Sequence, residues 1–182
     1  MKNKISEAKI YNEFSFQHEL GFFLREENEK RCPGYVVQFE RNISFFEEKK
    51  AIKIIDEPVK REMDIVLFNW ENIYDDKYAI ELKYPRKGSY DKRMWHFLDD
   101  LKFMQQVKSA GFSKTFCITL VNDNDEKSES LFHQGNGNKE PYSFFRNRAR
   151  IKNYRGVLFD KEHIIKWENV AGTDFWWYIE EL

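Results

Sequence analysis

The chain has 182 residues, 41% of them hydrophobic and 17% aromatic, and a formal net charge of −1 from 30 basic and 31 acidic residues. This length and hydrophobic content predict one folded domain, residues 1–182, and exclude a disordered chain. The near-neutral charge argues against a small cationic domain that coats nucleic acid. No apolar run approaches the roughly 20 residues of a membrane helix, so we expect no membrane contact and a cytoplasmic protein.

Hydrophobic periodicity divides the first half of the chain into a helix and three strands. Apolar residues recur at helical intervals over residues 5–29, and a Cys-Pro-Gly breaker follows them. Aromatic and β-branched residues then predict a strand within 35–46. Two further strands are predicted at 61–68 and 78–84, where apolar side chains flank polar ones.

The second half of the chain adds a helix and further strands. An apolar stripe predicts a helix over 92–110, and the apolar run 115–121 predicts a strand covered on both faces, with Cys117 as a buried small hydrophobe. The polar stretch 122–140 predicts a surface loop, and late strands are expected within 156–159 and 175–179. The order predicts an α/β (α+β mixed) fold with a central mixed β-sheet flanked by helices.

Two carboxylates and a lysine stand on neighbouring predicted strands. Asp64 lies in one strand, and Glu81 and Lys83 share one face of the next because strand side chains alternate. The tripeptide acidic–any–Lys recurs in this chain, but the copy that ends at Lys83 lies in a clean strand shortly after another acid-bearing strand. Such carboxylates can hold Mg²⁺ beside a phosphodiester, and the lysine adds positive charge where negative charge develops.

This arrangement, with Asp64 on one strand and Glu81-Leu82-Lys83 on the next, resembles the PD-(D/E)XK nuclease superfamily. The resemblance implies a restriction-endonuclease-like fold with an αβββαβ core over about residues 5–121. The remainder, about 122–182, would form a C-terminal extension outside the motif.

The resemblance also implies a function and a cofactor. A member of this superfamily is a divalent-metal-dependent nuclease that hydrolyses phosphodiester bonds, here expected in DNA. Asp64 and Glu81 would bind Mg²⁺ or Mn²⁺, and Lys83 would orient or activate the attacking water. Many members add an acid from the first helix, and Glu19 fits that role beside the apolar Phe16 and Leu20.

Basic residues predict where nucleic acid would bind. One pair directly follows the strand of Lys83 and could grip a phosphate backbone, and a second cluster is interleaved with aromatic residues that suit base stacking: Arg86 and Lys87, then Arg146, Arg148 and Arg150. The first pair, Arg86 and Lys87, also fits ordinary solvated charge. The second set fits an amphipathic helix as well.

Structural interpretations of the candidate residues stay open at this stage. Asp64 also fits a pair with Arg61, Glu81 and Lys83 fit a solvated pair on an edge strand, and Glu19 fits an exposed helix acid. Asp99 and Asp100 are expected on the solvated side of the second helix. The alternative function is a catalytically inactive nuclease-fold module that binds nucleic acid or a protein partner. A homodimer is expected if both DNA strands are cut.

Overall fold

A computed structural model of the chain describes residues 10–46, 62–85, 90–122, 149–154, 157–165 and 167–182. For residues 90–95, 149–154 and 157–165 only the backbone is described. The elements are α1 (Glu13–Arg31), β1 (Tyr35–Asn42), a 3₁₀ helix (Ile43–Phe46), β2 (Glu62–Asn69), β3 (Lys77–Lys83), α2 (Tyr90–Ser109), β4 (Lys114–Asn122), β5 (Ala149–Tyr154), β6 (Val157–Ile165), β7 (Glu168–Asn169) and β8 (Phe175–Glu181).

Six strands form one mixed sheet in the order β1-β2-β3-β4-β8-β7. The first three strands are antiparallel neighbours, whereas β3 and β4 are parallel and are connected through α2. A parallel pair needs such a crossover, because a short turn cannot bring the chain back to the starting edge. β8 is antiparallel to β4, and β5 and β6 form a separate two-stranded sheet. The predicted mixed α/β architecture is confirmed at this level.

The two helices cover opposite faces of the six-stranded sheet. On one face, Phe16 and Leu20 of α1 share a buried cluster with Leu82 of β3. On the other face, Leu101 of α2 shares a second cluster with Cys117 of β4, which is buried as predicted. The near-continuous apolar sequence of β4 follows from this double cover. Among the described residues, neither helix has an apolar stretch long enough to cross a bilayer.

Helix α1 begins later than its sequence periodicity predicts. The side-chain oxygen of Asn12 accepts a hydrogen bond from Ser15 N at 2.7 Å, and Ser15 Oγ accepts one from Asn12 N at 3.0 Å. This capping box satisfies amide groups that have no partner within the helix, so the helix starts at Glu13. The predicted start at residue 5 is therefore wrong over residues 10–12, and residues 5–9 lie outside the described part of the chain.

Other predicted boundaries also change. The strand predicted within 35–46 ends at Asn42, and a 3₁₀ helix follows and buries Ile43 and Phe46. The strands predicted near 156–159 and 175–179 are longer in the structure, as β6 and β8. Of the predicted loop 122–140, only Asn122 is described, and it ends β4.

Gly21 allows β1 to approach α1 closely. A Cβ atom at this position would lie 2.1 Å from Phe39 Cε1. The Phe39 ring cannot move away freely, because it stacks on His18 and lies under the Arg25 guanidinium, 4.8 Å from the ring centroid.

We therefore expect Gly21→Ala to lower the free energy of unfolding by about 1 to 2 kcal/mol. A contact of 2.1 Å places the cost in the upper part of the about 1–3 kcal/mol range of overpacking, above the gain of about 1 kcal/mol in helix propensity. Urea denaturation measures the change, and adding Phe39→Leu should restore part of the loss. A Gly21→Ala protein as stable as the wild type would contradict the close approach.

Candidate functional site

Asp64 lies where strands β2 and β3 separate. The described pairing of these strands includes Ile65 with Ile80, so the next positions, Asp64 and Glu81, are opposite each other in register. Beyond this point the Asp64 side chain takes the place of a backbone acceptor, because its Oδ2 accepts a hydrogen bond from Leu82 N at 2.7 Å. The structure thus brings the Asp64 carboxylate to the residue that separates Glu81 from Lys83.

Gln17 connects α1 to the backbone of Asp64. Its Nε2 donates to the Asp64 carbonyl at 2.7 Å and to Glu40 Oε1 at 2.6 Å. Glu40 lies opposite Asp64 in the β1–β2 register and has a φ of 49°, in the left-handed region that disfavours side chains. Asp64 is therefore fixed at both its carbonyl and its carboxylate, and no motif in the sequence pointed to Gln17 or Glu40.

Lys83 is surrounded by carboxylates. Its Nζ lies 2.9 Å from Asp100 Oδ2 and 3.9 Å from Glu13 Oε2, and its side chain is 14% exposed. Burial by itself lowers the pKa of Lys83, but the charges of Asp100, Glu13 and Glu81 outweigh burial and raise the pKa above its usual value. The raised pKa keeps the Lys83 ammonium protonated at neutral pH.

The expectation that Asp100 faces solvent is wrong. Asp100 is 8% exposed and lies three residues after Phe97 and four before Met104, both of which are buried against the sheet. Residues at these spacings share a helix face, so the spacing could have placed Asp100 inward. Its neighbour Asp99 is half-buried and lies on a different side of α2 from Asp100. Asp99 Oδ2 is 3.6 Å from His96 Nδ1.

Glu13 is the α1 acid whose contacts with the site are described. Its Oε2 accepts a hydrogen bond from Tyr84 N at 3.1 Å, immediately after Lys83. Glu19, the predicted acid, is partly buried and lies about 120° away from Glu13 around the helix axis. Sequence reasoning missed Glu13 because its contacts with Lys83 and Tyr84 are tertiary, and Glu19 stays a prediction.

The donor set of the site suits a hard divalent cation. Asp64 is 6% exposed and Glu81 is 1% exposed, so their charges lie in surroundings where unbalanced charge is costly. Among the described residues, no set of three His, Cys, Asp or Glu side chains is arranged to hold a metal ion. Mg²⁺, however, is often held by one or two carboxylates together with waters and phosphate oxygens. The residues that could hold it are Asp64 and Glu81.

The predicted nucleic-acid contacts fall largely outside the described residues, which exclude Arg86, Lys87, Arg146 and Arg148. Arg150 belongs to β5, although its side chain is not described. The amphipathic-helix interpretation of this basic cluster is therefore wrong over residues 149–154.

We expect Gln17→Met to lower the free energy of unfolding by about 1 to 2 kcal/mol, because it removes a buried donor from two acceptors. Gln38→Met is a matched control, since Gln38 is only half-buried and contacts Arg41 on its own strand. Its cost should stay within about 0.5 kcal/mol. Equal losses in the two variants, measured by chemical denaturation, would contradict the role given to Gln17.

Comparison with protein-family models gives no match. Comparisons with curated proteins and with solved structures likewise give no significant match.

Proposed function

We propose that the protein is a divalent-metal-dependent nuclease that hydrolyses phosphodiester bonds in DNA, with a restriction-endonuclease-like core. Asp64 and Glu81 hold Mg²⁺ or Mn²⁺, Glu13 is the acid from the first helix, and Lys83 is the positive charge beside them. The described order of elements from α1 to β4, a helix, three strands, a helix and a strand, supports this core because it is the order that the resemblance implies.

The observation that carries the proposal is the group of carboxylates around one buried lysine. Asp100 and Glu13 pair with the Lys83 ammonium, and Glu81 adds a third carboxylate within its electrostatic range. Asp64 stands at the same end of the β2–β3 pair. Carboxylate oxygens gathered in this way beside an ammonium are the donors that a hard divalent cation prefers, and buried carboxylates are commonly paired or bound to a metal. If these residues contributed only to stability, apolar side chains of similar volume would stabilise the fold at least as well.

The chain's own residues have distinct tasks in the proposed reaction. A bound divalent cation would acidify a water molecule and withdraw charge from the phosphate oxygens. Leu82 N–H orients the Asp64 carboxylate, and Gln17 holds the Asp64 backbone at its carbonyl. Lys83 keeps its proton and stabilises the negative charge that develops on the phosphate, because preorganised charge in a site with little water acts strongly.

The burial of Glu81 favours a second candidate function, the inactive module. At 1% exposure, Glu81 is reached by a phosphodiester only if the surrounding chain opens. A protein that has lost catalysis would keep the scaffold and the Lys83–Asp100 ion pair while it binds nucleic acid or a protein partner. The two candidates make different predictions for metal-dependent cleavage.

A cleavage assay tests the proposal. Supercoiled plasmid, single-stranded DNA and RNA are incubated with the protein in Mg²⁺, in Mn²⁺ and in EDTA. We expect cleavage of DNA that depends on the metal, is lost in Glu81→Gln and is retained in Asp99→Asn, which alters an acid on another side of α2. Equal cleavage by wild type and Glu81→Gln would indicate a contaminating nuclease. Binding of DNA without cleavage by any variant would favour the inactive module.

A further inference from the structure

Strand β8 brings a further acid to the face of the sheet that carries Glu81. Glu81 of β3 is the register partner of Cys117 of β4, and Cys117 is the partner of Glu180 of β8. Side chains of directly paired residues lie on the same face of a sheet. Cys117 belongs to the cluster under α2, so Glu81 and Glu180 flank it on the α2 face. No sequence motif connects β8 with the site, because β8 lies in the extension beyond residue 121.

Electrostatic effects on Cys117 support this grouping. Burial, followed by the charges of Asp100, Glu81 and Glu180, raises the pKa of the Cys117 thiol well above its usual value, whereas Lys83 lowers it. The three carboxylates and the ammonium therefore all act on one buried thiol. The Tyr178 hydroxyl donates a hydrogen bond to Glu180 Oε2 at 2.5 Å, which fixes the position of that carboxylate.

A buried hydroxyl next to this group points to a ligand. Thr119 is the register partner of Lys83 on one side and of Tyr178 on the other, and it is 0% exposed. Within the described part of the chain, its Oγ1 has no hydrogen-bond partner. Thr115 lies four residues earlier in β4, on the same face, and its Oγ1 donates a hydrogen bond to Met104 O at 3.0 Å. Buried hydroxyls without partners are rare, and a bound water or ion is a usual explanation.

We propose that β8 is part of the metal site, with Glu180 as a further acidic residue for the divalent cation and Thr119 Oγ1 as the group that binds a water molecule of that cation. This inference rests on the proposed function. Mg²⁺ retains several water molecules when it binds to proteins, so a neutral hydroxyl beside carboxylates suits its hydration shell. The C-terminal strand is then required for the site and is not an accessory to it.

Direct measurement of Mn²⁺ binding to the full chain, by electron paramagnetic resonance, tests Glu180 without relying on cleavage. We expect Glu180→Gln to raise the dissociation constant by about tenfold, as is common when a supporting group of a metal site is removed. Glu181→Gln is the matched control, because Glu181 forms an exposed ion pair with Lys114 at 2.8 Å. It should bind Mn²⁺ as the wild type does.

Thr119→Val and Thr115→Val form a second matched pair, which tests the proposal even if Glu180→Gln does not fold. Thr119→Val should weaken Mn²⁺ binding and, without metal, raise the melting temperature, because it removes a buried hydroxyl without a partner. Thr115→Val should lower the melting temperature and leave Mn²⁺ binding unchanged, because its hydroxyl is bonded to α2.

The outcomes separate this inference from the proposed function. Unchanged Mn²⁺ binding by both Glu180→Gln and Thr119→Val would overturn the inference, while metal-dependent cleavage by the wild type would leave the nuclease proposal standing. A wild-type protein that binds no Mn²⁺ would overturn both. Equal weakening in Glu180→Gln and Glu181→Gln would assign the effect to general surface charge and would also overturn the inference.

Discussion

Replacing Asp64 by asparagine should reduce metal-dependent DNA cleavage by about a thousandfold, which corresponds to about 4 kcal/mol of transition-state stabilisation. The amide keeps the size of the side chain but cannot supply the negative charge that holds a divalent cation. Single-turnover cleavage at saturating Mg²⁺ measures the loss. Cleavage by Asp64→Asn at the wild-type rate would remove Asp64 from the proposed site.

Asp64→Ala separates the chemical role of this side chain from its structural role. Asparagine still presents an oxygen to Leu82 N, whereas alanine leaves that buried amide without its acceptor. We expect both variants to lose cleavage, but Asp64→Ala should be less stable than Asp64→Asn by about 1 to 2 kcal/mol. Chemical denaturation of the metal-free proteins gives this difference. Equal stability would mean that the hydrogen bond to Leu82 contributes little.

Lys83→Met should lower the free energy of unfolding by about 3 kcal/mol. The substitution fills a similar volume but leaves Asp100 buried without its ammonium partner, and breaking a buried ion pair in this way costs about 3–5 kcal/mol. Adding Asp100→Asn should recover part of the loss, because the buried charge that has lost its ammonium is then removed. A double-mutant cycle at pH 7 measures the coupling between the two residues, and additive effects would contradict the pair.

The pH dependence of stability provides a further check on Lys83. Its pKa is raised in the folded protein above the unfolded value of about 10.4. The stabilisation is therefore fully present below about pH 10.4 and is lost as the pH rises through the folded pKa. Alkaline unfolding of Lys83→Met should lack this component, so the stabilities of the two proteins should converge at high pH.

Local patterns were enough to predict most of the regular elements. The alternation of apolar residues around Glu81 marked β3, and the apolar run around Cys117 marked a strand covered on both faces. Element ends were less predictable. The start of α1 depends on a hydrogen-bonded cap at Asn12, and apolar periodicity contains no information about that cap.

The composition of the site was only partly predictable. Asp64, Glu81 and Lys83 stood out because strand context singled out one acidic–any–Lys tripeptide. Asp100 and Glu13 belong to the same charge cluster, yet each comes from a different helix and meets Lys83 only through tertiary contact. The neighbouring residues in sequence look alike whether a helical carboxylate faces solvent or a buried ammonium. Only the position of the carboxylate around the helix, relative to the apolar stripe, distinguishes the two cases.

By itself, the sequence determined the mixed α/β class and the placement of an acid and an acid–lysine pair on adjacent strands, because side-chain alternation and strand order are local properties. The tertiary structure decided which further groups join them: Gln17 at the Asp64 backbone, Asp100 at the Lys83 ammonium, and Glu180 across Cys117. The order of strands in the sheet and the orientation of each helix about its axis bring these residues together across long separations in sequence. The packing of apolar faces determines that strand order and those helix orientations. The charged groups around Lys83 therefore come together only in the folded chain.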